Sequence, residues 1–78
     1  MSAYNGHKNW NHWNVSLWMF NDETLYYEAK RCARRHDART AAKLLLDSLA
    51  SMGMTHTPDG ARFTAASLYP VIVDIRRG

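Results

Sequence analysis

Cysteine occurs once among the 78 residues, at Cys32, so no intramolecular disulfide framework exists and a reducing, cytoplasmic setting is the expectation. Long apolar runs are absent too. None approaches the roughly 20 residues that cross a bilayer, and the opening MSAYNGHKNW lacks the basic-then-apolar pattern of an export signal, so a soluble chain is expected. Glycine is sparse and scattered at 6, 53, 60 and 78, which excludes a Gly-x-x-x-x-Gly-Lys phosphate loop. Acidic residues number seven against ten Lys and Arg, too few for an acidic mimic of nucleic acid. With two prolines, no repeat and no low-complexity linker, residues 1–78 read as one domain.

Catalytic and metal signatures are also missing. Cys32 and His36 stand at i, i+4, but no orienting third group or oxyanion site accompanies them, so they read as a small buried thiol beside a helix histidine. His7, His12, Cys32, His36 and His56 contain no Cys-x-x-Cys or His-x-x-x-His pair to announce zinc. The expectation is a protein without enzymatic activity, cofactor or metal.

What the chain does have is aromatic mass. Nine aromatic residues and a 46 % hydrophobic content suit a compact centre, although a domain of this size buries only about 60 to 65 % of its unfolded surface. Pairing of two copies would add to that burial, and a homodimer is one expectation. All three tryptophans fall within Asn5 to Tyr26, NGHKNWNHWNVSLWMFNDETLY, together with five asparagines.

Helical periodicity organises the rest. Asn9 or Asn11 caps a first helix to about Phe20, following an extended arm, and Trp10, Trp13, Leu17 and Phe20 are assigned to the core. Asn14 lies among them and must be hydrogen-bonded, which predicts a tie to the arm or to the second helix. Asn21 or Asp22 caps that second helix, with a buried stripe of Leu25, Tyr26, Ala29, Cys32, Ala33 and His36. Asp37 caps a third, Ala38 to about Met52, whose apolar face is Ala41, Ala42, Leu45, Leu46, Leu49 and Met52, with Gly53 as its stop. A turn-rich MTHTPDGARFT follows. The last segment reads as a helix capped by Ser67, with Pro70 in its first turn and Leu68, Val71, Ile72 and Ile75 on one face; a strand paired across a dimer is the alternative. The fold class is therefore all-α, a small bundle of three to four short helices.

Charge is concentrated. Lys30, Arg31, Arg34, Arg35, Arg39 and Lys43 surround a single acid, Asp37, giving this stretch a net +5 within a chain of net +3. Such a patch attracts an acidic protein face, a nucleic-acid backbone or an anionic lipid surface.

The Asn9-Trp10, Trp13-Asn14-Val15, Leu17-Trp18 and Asn21-Asp22-Glu23 elements, followed by Leu25-Tyr26, resemble the opening of a family of small phage and prophage accessory proteins. The likeness covers about residues 4–30 and extends to the Thr57-Pro58-Asp59-Gly60 turn. Where such proteins usually carry an acid before the second tryptophan, this chain has Asn11-His12. The resemblance implies a stoichiometric interaction protein that blocks a host complex, with an anti-CRISPR protein as its sharpest form. The expected partner surface is Arg31, Arg34, Arg35, Arg39 and Lys43 with Trp18 and Tyr27. A small basic DNA- or RNA-binding regulator is the alternative.

Overall fold

A computed structural model describes residues 8–78 as four helices: α1 Trp10–Asn21, α2 Glu23–Arg35, α3 Ala38–Ser51 and α4 Ala65–Arg77. The expected arm lies almost wholly outside the described residues. The all-α expectation holds, and the last segment is helical rather than a strand. No helix among the described residues is long and apolar enough to cross a membrane.

Side-chain caps set the boundaries. The Asn9 side chain accepts from the His12 N–H, Asp22 from Leu25 and Asp37 from Thr40, each filling a donor that the first helical turn leaves unpaired. Asp22 serves twice, because its own N–H closes α1 on the Trp18 carbonyl at 3.0 Å. One residue thus turns the chain between α1 and α2. Gly53, at φ 79°, ends α3: the Met54 N–H bonds the Leu49 carbonyl and the Gly53 N–H that of Ala50, the paired bonds of a Schellman stop. Met52 and His36, expected on buried faces, are instead exposed beside these helix ends.

The α4 boundary differs from expectation. Thr64 is the cap, joined to Ser67 by reciprocal bonds of 3.0 Å, so the helix begins at Ala65 and Pro70 falls in its second turn.

Helix α4 packs on α1, α2 and α3, whereas α1 and α3 do not pack on each other. The fully buried centre comprises Val15 and Met19 of α1, Ala29 of α2, Ala41, Leu45 and Leu49 of α3, and Leu68, Val71 and Ile72 of α4. Alanines at 29, 33, 41 and 42 let the helix axes approach closely. Across the far end, Arg76 of α4 donates to the His36 carbonyl at 2.8 Å, occupying an acceptor that the end of α2 leaves open.

Helix α1 corrects the expected core. Trp10, Leu17 and Phe20 are 40 %, 39 % and 41 % exposed, and Trp13 is only partly buried, while Val15 and Met19 on the opposite side are fully buried. The inward side is occupied by Val15 and Met19, and a polar tie through Asn14 and Trp18 runs along the flank beside them. Between α3 and α4 the chain doubles back, with His56 and Arg62 forming an antiparallel bridge around the Thr57-Pro58-Asp59-Gly60 turn. Pro58 presets the turn and Gly60 takes φ 95°, a conformation that costs glycine little. This short hairpin leans on α1 through Asn14, Trp18 and Asn11.

Candidate functional site

Three surfaces carry the chemistry-bearing residues. The first is the tie itself. Asn14, 1 % exposed, donates through Nδ2 to Asp59 Oδ2 at 2.8 Å and accepts from Thr57 Oγ1 at 2.6 Å. Trp18 Nε1 donates to the same Asp59 oxygen at 2.9 Å, and Thr57 Oγ1 accepts from the Ala61 N–H at 3.0 Å. Asn11 adds a bond to the Arg62 carbonyl at 3.0 Å. Donation from Asn14 first, and from Trp18 second, holds the Asp59 carboxyl below its ordinary value. Asn14 is tied to this hairpin and not to α2, and the arm, its other expected partner, lies almost wholly outside the described residues. Trp18, expected in the partner surface, is half-buried and committed to folding.

The second surface is the cationic stretch, which the fold divides. Tyr27, 65 % exposed, shares the outer ridge of α2 with Arg31 and Arg34 at i, i+4 and i+7. Arg31 is already engaged, bonding Glu28 through both Nε and Nη2 at 3.3 and 2.9 Å. Glu28 also accepts from Ser48 of α3 at 2.8 Å, and these bonds, that of Arg31 foremost, keep its carboxyl below the ordinary value. Arg31 and Arg35 line a shallow groove of about 340 Å³ between α2 and α3, with His36 and the acid Asp47 on its walls. Buried beneath lies Cys32, 6 % exposed, its thiol pushed up chiefly by burial and only partly offset by Arg31. A neutral thiol held this way is a poor nucleophile.

Arg39 and Lys43 belong elsewhere. They line a larger groove of about 570 Å³ in the space where α1 and α3 fail to meet, facing Lys8 and His12 at the start of α1 over a floor from the first turns of α4. Among the described residues none lines both grooves, and the larger has no acid on its walls. The five expected cationic contacts thus fall into an α2 group and an α3 group. Lys8 and Tyr69, brought in from opposite ends of the sequence, went unnoticed in the sequence because neither belongs to a local motif.

The third surface is the outer side of α1. Helix α1 contains no Asp, Glu, Lys or Arg, and its solvent-facing side presents Trp10, Leu17 and Phe20. Phe20 meets Tyr26 of α2 at a ring separation of 5.8 Å, and Lys30 lies 5.9 Å above that tyrosine, so the apolar strip continues onto α2 and ends at a cation. Among the described residues no three of His, Cys, Asp and Glu come together as a metal site would need.

A model described as a family of unknown function, DUF7249, matches residues 1–75. Neither a curated protein nor a solved structure matches the chain.

Proposed function

We propose that this chain, which belongs to the family of unknown function DUF7249, is a stoichiometric interaction protein that binds and inhibits a bacterial defence complex, most sharply a CRISPR effector. The observation that carries its interaction half is the outer side of α1. A helix that only closed a core would turn its aromatics inward and its charges outward. Here three large apolar side chains stand about two-fifths exposed on a helix without a charged residue. Aromatic anchors on a rigid helix are the usual means of docking into an apolar groove of a protein partner. Lys30, 5.9 Å from the Tyr26 ring where the strip ends, favours a partner with an acidic rim, and Tyr27, Arg31 and Arg34 stand exposed on the same helix. The choice of a defence complex rests on the resemblance of the opening window to small phage and prophage proteins.

The test is restoration of phage plating. Expression of the chain in a bacterium whose CRISPR system blocks a test phage restores plaques, and the double substitution Leu17→Lys, Phe20→Lys abolishes the effect while far-UV circular dichroism stays helical. Undiminished interference in the presence of well-expressed, folded protein removes the inhibitor reading. Inhibition retained by the double variant removes the α1 face from it.

A further inference from the structure

We infer that the groove between α1 and α3 is a nucleotide-binding site, in which Lys8, Arg39 and Lys43 hold the phosphate and Tyr69 with the α4 floor receives the base. The groove alone carries this role, independently of the inhibition proposed above. Its volume of about 570 Å³ lies within the 300 to 1,000 Å³ typical of small-ligand sites. Lys8 approaches from the residues just before α1 and Arg39 and Lys43 from α3, on two sides of one cleft, and among the described wall residues there is no carboxylate to neutralise them. The small side chains of Ala42, Ala65 and Ala66 with the rigid Pro70 give a smooth apolar floor, which a planar ring can cover. Tyr69 stands 40 % exposed on this wall while its neighbour Leu68 is fully buried, so an aromatic face is presented to the groove by a well-anchored helix.

Side chains rather than helix ends define the site. Asn9, Asp37 and Thr64 each serve one first-turn N–H of α1, α3 and α4, and the charged side chains that face the groove are Lys8, Arg39 and Lys43. Lysine and arginine on a phosphate with a stacked ring beside them recognise a nucleoside phosphate, either free or as one unit of a strand. Pro70 adds one element: it lacks the N–H that the Ala66 carbonyl would receive in an unbroken helix, and both residues line the groove.

The full chain, labelled with nitrogen-15, is titrated separately with adenosine monophosphate, a short single-stranded oligothymidylate and inorganic phosphate. Nucleotide or oligonucleotide shifts the amides of Ala42, Ala66 and Tyr69. Comparable binding of both assigns a free-nucleotide site, and binding of the oligonucleotide alone assigns a strand site. The Arg39→Glu, Lys43→Glu variant weakens binding by about tenfold or more, and its affinity depends less steeply on salt, by a slope of about one for each phosphate no longer neutralised. Tyr69→Leu also weakens it. Arg34→Glu, Arg35→Glu makes the same change of charge on α2 and leaves affinity within about twofold. All substituted side chains are exposed, so retained helicity is expected and is checked by circular dichroism. Equal weakening by the two charge-reversal pairs overturns the inference, as do absent shifts with both nucleotide probes, or inorganic phosphate binding as tightly as either.

Discussion

The indole Nε1–H of Trp18 donates to Asp59 Oδ2 at 2.9 Å across 41 positions of sequence. The same oxygen takes Asn14 at 2.8 Å, so one carboxylate closes the hairpin onto α1 through two residues of the aromatic window. The window and the distant Thr-Pro-Asp-Gly turn are therefore two halves of one latch. The latch fastens one flank of α1, while Val15 and Met19 face the core and Trp10, Leu17 and Phe20 stay exposed.

Asn14→Ala removes the buried centre of this latch and leaves Thr57 Oγ1 without its acceptor. The cost is about 2 kcal/mol, from the missing hydrogen bonds and an unpaired buried hydroxyl. Chemical unfolding measures it. Asp59→Ala moves the midpoint in the same direction, and it also speeds solvent exchange of the Trp18 indole proton.

Acid weakens the fold through the same contacts. Glu28 and Asp59 lie below their ordinary values of 4.5 and 3.8, so the folded protein binds fewer protons than the unfolded chain in this range. Their contribution is fully present above those ordinary values and is lost as pH falls through the depressed ones. The thermal midpoint should stay level from neutral pH down to about 5 and fall below about 4. Asp59→Asn makes that fall shallower, which thermal melts across the pH series reveal.

Pro70 stands in the second turn of α4, where it removes a helical N–H. Pro70→Ala restores the bond and raises stability on the order of 1 to 2 kcal/mol, since the helix-interior penalty of proline exceeds its entropic benefit in the unfolded chain. A higher melting temperature is the expected reading.

The helices were legible because their punctuation is local. Asn9, Asp22, Asp37 and Gly53 each act within a few residues of where they stand, so caps and stops are visible in the sequence. The facing of α1 was not legible. Trp10, Leu17 and Phe20 form one helical stripe and Val15 and Met19 another, and hydrophobicity favours the wrong one. Val15 and Met19 pack in the core, and α1 is also pinned by Asn14 and Trp18 bonding Asp59, 45 and 41 positions away, contacts that no periodicity reports. The basic stretch misled for a related reason. It is continuous in sequence, but the turn at His36 and Asp37 places Arg31 and Arg35 on one groove and Arg39 and Lys43 on another.

Helix α1 thus has an inner face that folds the protein and an exposed outer face, Trp10, Leu17 and Phe20, on which the proposed interaction rests. Paired urea unfolding of Met19→Ala and Leu17→Ala separates the two faces, because both substitutions trim a large apolar side chain of one helix to the same methyl group. Met19 is fully buried and its truncation should cost about 2 to 5 kcal/mol, whereas Leu17, 39 % exposed, should cost less than half as much. A cost at Leu17 equal to or greater than that at Met19 would place the aromatic stripe in the core and leave α1 without an outer face to offer.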